Sequence, residues 1–177
     1  AGIRLVSDTS PREGKRAQEE RERLRYINAL AVKYFQHILL DSPTGKEARD
    51  YLKQRGVPDA VVSSYALGCA PDMWNGLLNH LSEKKVDLPL AEKVGLLIRK
   101  DSGGYYDRFR HRIMFPIHDV SGKIVGFGGR ALGGEEPKYL NSPDSPIYSK
   151  GKVLFGLHIA REHMKKEDTM IIVEGYF

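Results

Sequence analysis

Asp107-Arg-Phe-Arg-His-Arg-Ile-Met-Phe-Pro116 is the stretch whose reading decides the fold. Read as a strand, its side chains alternate between faces, which puts Arg108, Arg110 and Arg112 on one side. Phe109, Ile113, Phe115 and Ile117 fall on the other, with His111 as the one polar intruder. Arginines two apart along a strand sit about 6.8 Å from each other, similar to the stride of an extended nucleotide backbone. Two readings stay open at this point: the solvated face of an antiparallel sheet, or a cationic track for a polyanion.

Downstream, Asp119-Val-Ser-Gly122 reads as a turn and Lys123 to Leu132 as a further strand. Its Gly126-Phe-Gly-Gly-Arg130 is no dinucleotide fingerprint, because no helix follows and the third glycine is misplaced. Glycine inside a strand marks a bulge or a close backbone approach. Arg130 extends the basic surface or is simply exposed. Residues 133–152 form an irregular stretch, long enough to be functional or disordered, and Tyr139, Leu140, Ile147 and Tyr148 favour an ordered loop. Within it Lys138, Asn141, Ser142, Lys150 and Lys152 are suitable donors for phosphates and sugars. Val153 to Phe155 is expected as a short strand, and Gly156 to Lys166 as a helix burying Leu157, Ala160 and Met164. Met170-Ile-Ile-Val173 is expected as a strand covered on both faces. Glu174 stands at the C-terminal end of that run, the edge where open α/β sheets bind ligands.

Upstream the pattern is helical. Residues 1–9 read as linker, Ser10-Pro11 as a helix start, and residues 12–23 as a solvated helical extension or a frayed segment. Leu24, Ile27, Ala31, Tyr34 and Ile38 recur at helical spacing. Thr44-Gly-Lys-Glu47 has the form of a capping box, and Gly56 supplies a stop, with Arg55 beside it favouring the helix dipole. A short helix is expected at Pro58–Ser63 and an extended segment at Tyr65–Pro71. Asp72 can cap a helix in which Trp74, Leu77, Leu78 and Leu81 form a core stripe, so Trp74 reads as a core anchor. Leu88–Val94 is helical, stopped by Gly95, and Leu96–Lys100 pairs with the strand beginning at Tyr105 across Gly103-Gly104.

Of 177 residues, 41% are apolar and 29% charged, a globular balance. A single cysteine, Cys69, excludes a disulfide framework and a cysteine-rich zinc site. No apolar run reaches the length of a membrane span, and a soluble, cytoplasmic protein is expected. The formal charge is +5. Between Arg99 and Lys166, thirteen Lys or Arg stand against seven Asp or Glu, so the surplus sits in the half that carries the arginine stretch and leans towards a polyanionic partner. There is no Walker A sequence and no Gly-x-Ser-x-Gly.

Taken together, Asp107–Ile117, Gly126-Phe-Gly-Gly-Arg130, Lys138-Tyr-Leu-Asn-Ser-Pro143, Lys150-Gly-Lys-Val-Leu-Phe-Gly156 and Val173-Glu-Gly-Tyr176 resemble the DnaG type of bacterial DNA primase. Tyr51-Leu-Lys-Gln-Arg-Gly56 and Gly68-Cys-Ala-Pro71 fit the same family. The resemblance implies an α+β fold: a helical first half, a mixed or antiparallel sheet in a basic subdomain over 24–152, then the first strand-helix-strand of an α/β Toprim domain over 153–177. It implies an RNA-polymerase core that copies single-stranded DNA into short RNA primers from ribonucleoside triphosphates. Glu174 matches the first acidic residue of a Toprim site for Mg2+ or Mn2+. Arg108, Arg110, Arg130, Lys138 and Lys150 match basic residues that handle template and nucleotide, and Arg55 matches a basic position on the template side. The family also carries an upstream zinc-binding domain and a C-terminal domain for the replicative helicase. The sequence opens on Ala-Gly-Ile and closes just after Glu174-Gly-Tyr, so a fragment inactive by itself is expected. A non-catalytic single-strand-binding module is the alternative, and another Toprim protein, such as a topoisomerase or a recombination factor, is a third.

Overall fold

The structure is a computed structural model and describes residues 11–176. The linker expected at residues 1–9 and the Ser10 cap lie outside the described residues. Helix α1 (Pro11–Leu40) takes in the solvated segment 12–23 without interruption and then buries Leu24, Ile27, Ala31, Val32, Phe35 and Leu39. With Ala31 and Val32 side by side and the others three or four apart, these lie on one helix face, while Tyr34 and Ile38, expected in that stripe, are half-buried. Next come α2 (Lys46–Gln54), α3 (Asp59–Ser64), α4 (Gly76–Glu83) and α5 (Leu88–Lys93), interrupted only by strand β1 (Gly68–Ala70). Gly56 and Gly95 end α2 and α5 at φ +69° and +75°, a conformation that favours glycine. The capping box expected at Thr44–Glu47 is not formed. Ser42 instead caps a 3-10 turn at Pro43–Gly45 through the Thr44 N–H, which leaves Glu47 free to reach His111.

The main sheet is antiparallel, in the order β1, β4 (Arg112–His118), β5 (Ile124–Ala131), β6 (Tyr139–Asn141). A separate hairpin joins β2 (Leu97–Arg99) to β3 (Tyr105–Asp107). The stretch 107–116 is therefore two strands and not one. The chain breaks between Asp107 and Arg112, where His111 adopts φ +49°, a left-handed conformation uncommon outside glycine. The expected arginine stripe is corrected by that break.

Both faces of the main sheet are covered, again unlike the half-solvated sheet of one reading. One face carries Met114 and Phe127 into a core with α1, α4 and α5. The other carries Ile113 and Phe115 into a core with Leu39, Ala48, Leu52, Val62 and Leu67. Gly128 sits where a Cβ would overlap the Tyr176 hydroxyl, so the glycine lets Tyr176 stack on Phe115 at 4.4 Å and 12°. Helix α6 (Leu157–Glu167) forms as expected, but Leu157, Ala160 and Met164 are only half-buried. Val153–Phe155 is not a strand, and Met170–Val173 is not one either: Ile171 is 85% exposed, and no strand among the described residues pairs with it. Extended backbone needs such a partner to satisfy its N–H and C=O groups. Among the described residues no helix is long and apolar enough to cross a membrane.

Candidate nucleic-acid interface

The break after β3 sets the geometry of the site. Asp107 is 2% exposed, and its two carboxylate oxygens accept the Leu77 and Leu78 N–H groups at 2.8 and 2.9 Å. It thereby caps α4 from thirty residues away, a role expected of Asp72; Asn75, the residue at the cap position, contributes no side-chain bond. Burial pushes the Asp107 carboxyl up to about 6, against the opposing pull of those backbone N–H groups and of Arg110.

Just before α4, Trp74 is 64% exposed. This corrects its reading as a core anchor: it precedes the first helical turn, so the periodicity that includes it is accidental. Its ring lies 4.1 Å from the Arg110 guanidinium and 5.4 Å from the Tyr106 ring, with Arg110 also 5.5 Å from Tyr106. The Arg110 guanidinium also donates to the Asp107 carbonyl. Beside this stack opens a cavity of about 330 Å³, whose wall sets Arg108, Arg110 and Arg112 alongside the carboxyl-bearing Asp72, Glu135 and Glu136. Arg108 is half-buried, donates to the Asn141 carbonyl at 3.3 Å, and has a buried Nε with no partner among the described residues. Burial lowers its pKa. A guanidinium with spare donors on a cavity wall is suited to a phosphate oxygen.

Arg112 behaves differently. It is 5% exposed and donates to the Pro137 carbonyl at 2.8 Å, with longer contacts to Gly129 and Lys138. It ties the 137–138 backbone to the sheet. His111 closes the same corner, its ring bridging Glu47 at 2.9 Å and Glu135. Burial pulls the imidazole pKa down, but the two carboxylates outweigh it and leave the value raised.

The opposite face of the sheet holds a second basic cluster. Arg130 pairs in register with Ile113, whereas Arg112 pairs with Ala131, so the two arginines point to opposite sides. Arg130 is bonded to the hydroxyls of Tyr51 and Tyr139, and exposed Arg55 donates to Tyr51 at 3.1 Å. Asn141 accepts from the Tyr176 hydroxyl at 3.1 Å. Ser142, expected as a phosphate donor, is fully buried, and its hydroxyl accepts the Phe127 N–H. Lys138 is exposed at the end of the loop between β5 and β6, and Lys150 and Lys152 are exposed in a 3-10 turn beyond β6.

The structure thus brings Arg108 and Arg110 together, joins Arg55 to Arg130 through Tyr51, and separates these two groups by the sheet. Trp74, Tyr106, Asp107, Tyr51 and Tyr139 are the members that sequence reading missed. One signal was legible: Trp74 is the only tryptophan, and it stands between Pro71 and Gly76, ahead of any helix that Gly76 opens. Glu174 is exposed. Among the described residues no three His, Cys, Asp or Glu side chains are placed to hold a metal ion, and one carboxylate does not compose a magnesium site.

Guanidinium groups on aromatic faces, with spare donors nearby, are the chemistry of a surface for single-stranded nucleic acid. A family model described as the N-terminal domain of the DNA primase catalytic core matches residues 34–161. A DNA primase of Synechococcus elongatus is 44% identical over 178 residues, covering 99% of this chain and 26% of the relative. One of Halalkalibacterium halodurans is 44% identical over 177 residues, covering 99% and 29%. Among solved structures, a DnaG primase catalytic domain bound to single-stranded DNA superposes with a TM-score of 0.83 at 37% identity, over 90% of this chain and 51% of that one. The RNA polymerase domain of Mycobacterium tuberculosis DnaG, in complex with a DNA duplex carrying a six-nucleotide overhang, gives 0.81 at 34% identity, over 88% and 49%. The class is that of primase catalytic cores. This chain belongs to the DnaG primase family and contains the N-terminal domain of its catalytic core. It spans about a quarter of the length of the curated relatives it matches.

Proposed function

We propose that this chain guides single-stranded DNA template in a primase that synthesises short RNA primers during replication, as a nucleotidyltransferase of the DNA-directed RNA polymerase kind. The observation that carries the reading is the stack of exposed Trp74 with half-buried Arg110 and Tyr106 beside the Arg108 cavity. A base can lie on the indole while phosphates meet Arg108 and Arg110, contacts that position a strand without reading its sequence. Arg55 and Arg130, with Lys138, Lys150, Lys152 and Asn141, form the second contact region, for template or ribonucleoside triphosphate. Arg112 serves it indirectly, by fixing the loop that carries Lys138.

In the longer protein, residues 24–152 act as the basic subdomain and 153–177 begin the Toprim domain. Glu174 contributes one carboxylate to a Mg2+ or Mn2+ site, zinc belongs to an upstream domain, and the RNA primer and the replicative helicase are the further partners, in the cytoplasm. For the 177 residues by themselves, single-strand binding is the reading favoured by two guanidinium clusters set against a single carboxylate, Glu174, for a metal site.

The test is Arg108→Ala with Arg110→Ala, measured by anisotropy of a labelled oligothymidylate over a salt series. Affinity should fall, and the salt slope should shrink by up to about two, one for each phosphate that the variant no longer neutralises. Unchanged affinity and slope would leave the arginines without a role in binding.

A further inference from the structure

Trp74 and Arg110 belong to different segments, thirty-odd residues apart, and neither is held in place by a regular element. Trp74 precedes α4, and Arg110 lies in the break between β3 and β4. The Tyr106 ring lies against both side chains, and its neighbour Asp107 is hydrogen-bonded to both segments. The Asp107 N–H donates to the Trp74 carbonyl at 2.8 Å, and the Asp107 carbonyl accepts from the Arg110 guanidinium. The Asp107 carboxylate meanwhile accepts from Leu77 and Leu78, fixing where α4 begins, two residues after Trp74. The two backbone groups of one buried residue are therefore spent on Trp74 and Arg110, and its carboxylate on the helix start just after Trp74.

We propose that Asp107 is a positioning residue of the template interface, assembling Trp74 and Arg110 into one platform before any strand arrives. The proposal rests on the reading of that interface given above. A side chain fixed in advance loses less conformational freedom on binding than one that must be ordered by the ligand, so the benefit falls on affinity. Asp107 is shut away from the surface and touches no ligand itself. Its ionisable neighbours are Arg110 and, from α1, Tyr34, whose pKa burial raises to about 12 with a further push from Asp107. His80 of α4 lies against that Tyr34 ring at 5.1 Å.

A double-mutant cycle tests it, with oligothymidylate affinity as the readout. Base–aromatic stacking sets the scale, and Trp74→Ala is expected to weaken binding about tenfold. Asp107→Asn and Asp107→Ser, each retaining one acceptor for the helix end, should weaken it by a similar factor. In the Trp74→Ala background they should add less than about twofold, because contacting residues are not additive. Wild-type affinity in the Asp107 variants, with Trp74→Ala still weakened, overturns the positioning role and leaves the interface reading standing. Fully additive losses also overturn it, since Asp107 would then act through the fold at large. Wild-type affinity in Trp74→Ala and Arg110→Ala removes the interface reading and the proposal together. Should neither Asp107 variant fold, the wild type supplies the readout, because Trp74 is the only tryptophan. Its emission should titrate with a midpoint near pH 6, the carboxyl's value, and keep that midpoint in His80→Gln and His111→Gln. Emission flat from about pH 5 to 7.5 overturns the proposal.

Discussion

Replacing Arg112 with methionine separates two roles that the spacing of the arginines makes look alike. The Arg112 guanidinium is buried and makes one well-formed bond, to Pro137 at 2.8 Å; its contacts to Gly129 and Lys138, at 3.4 and 3.5 Å, are weak. A hydrogen bond from a charged group is worth about 1.5–3 kcal/mol. Methionine keeps much of the apolar stem, and Pro137 lies on an exposed loop where its carbonyl can turn to water. The loss should therefore be about 2 kcal/mol, which for a domain of this size lowers Tm by about 4–8 °C. Oligothymidylate affinity should stay within about twofold. Arg110→Met should do the reverse. Its stack on Trp74 contributes on the order of 1 kcal/mol to the fold, so Tm moves by a few degrees at most, while affinity falls and the salt slope drops by about one. Thermal unfolding followed by circular dichroism, paired with anisotropy at several salt concentrations, reads both quantities. An Arg112→Met protein with unaltered Tm and the affinity and salt slope of Arg110→Met would refute the assignment of Arg112 to the loop.

Gly128→Ala should lower stability by about 1–3 kcal/mol, the usual penalty for overpacking, because its Cβ would overlap the Tyr176 hydroxyl; in the same variant Tyr176 should become more accessible to nitration. Tyr51→Phe keeps the ring beneath Arg55 and Arg130 but removes the hydroxyl both guanidiniums use, so a loss of about 1–2 kcal/mol is expected in denaturant unfolding. His111 gives a pH dependence. Its folded pKa is raised above the ordinary 6.5, so the protonated form is the one the fold favours. Its contribution is complete below 6.5 and disappears as pH rises through the raised folded value. Wild-type stability should fall across that window more steeply than that of His111→Gln, as read from Tm against pH.

Much of the fold was legible because its signals are local. The stripe of α1, the stops at Gly56 and Gly95, and the Gly103-Gly104 hairpin each follow from residues within a turn or two of one another. The break at 108–111 was not, because strands on either side of it both alternate and nothing in Arg-Phe-Arg-His announces a left-handed histidine. It is held from outside, by Leu96 and Pro71 carbonyls accepting the Arg108 and His111 N–H groups. The α4 cap failed for the same reason: a carboxylate thirty residues away displaced the nearer Asp72. In the candidate site, residue types pointed to polyanion chemistry, but their grouping depended on which face each strand residue took. That is a property of register, and register shows that Arg112 and Arg130 oppose each other across the sheet. The Met170–Val173 run has the composition of a buried strand, yet a strand exists only in company.

That opposition has a consequence for how long a bound strand must be. Both faces of the sheet are occupied by core, and the Arg108–Arg110 and Arg55–Arg130 clusters lie to either side of it, with the β6 edge between them, where Leu140 borders one and Tyr139 the other. A single strand that engages both clusters by way of that rim has to curl around the sheet edge. Its footprint is then set by a distance fixed in the protein: oligomers too short to round the edge hold one cluster or the other, and affinity should climb in a step, not a slope, at the length that first spans the two.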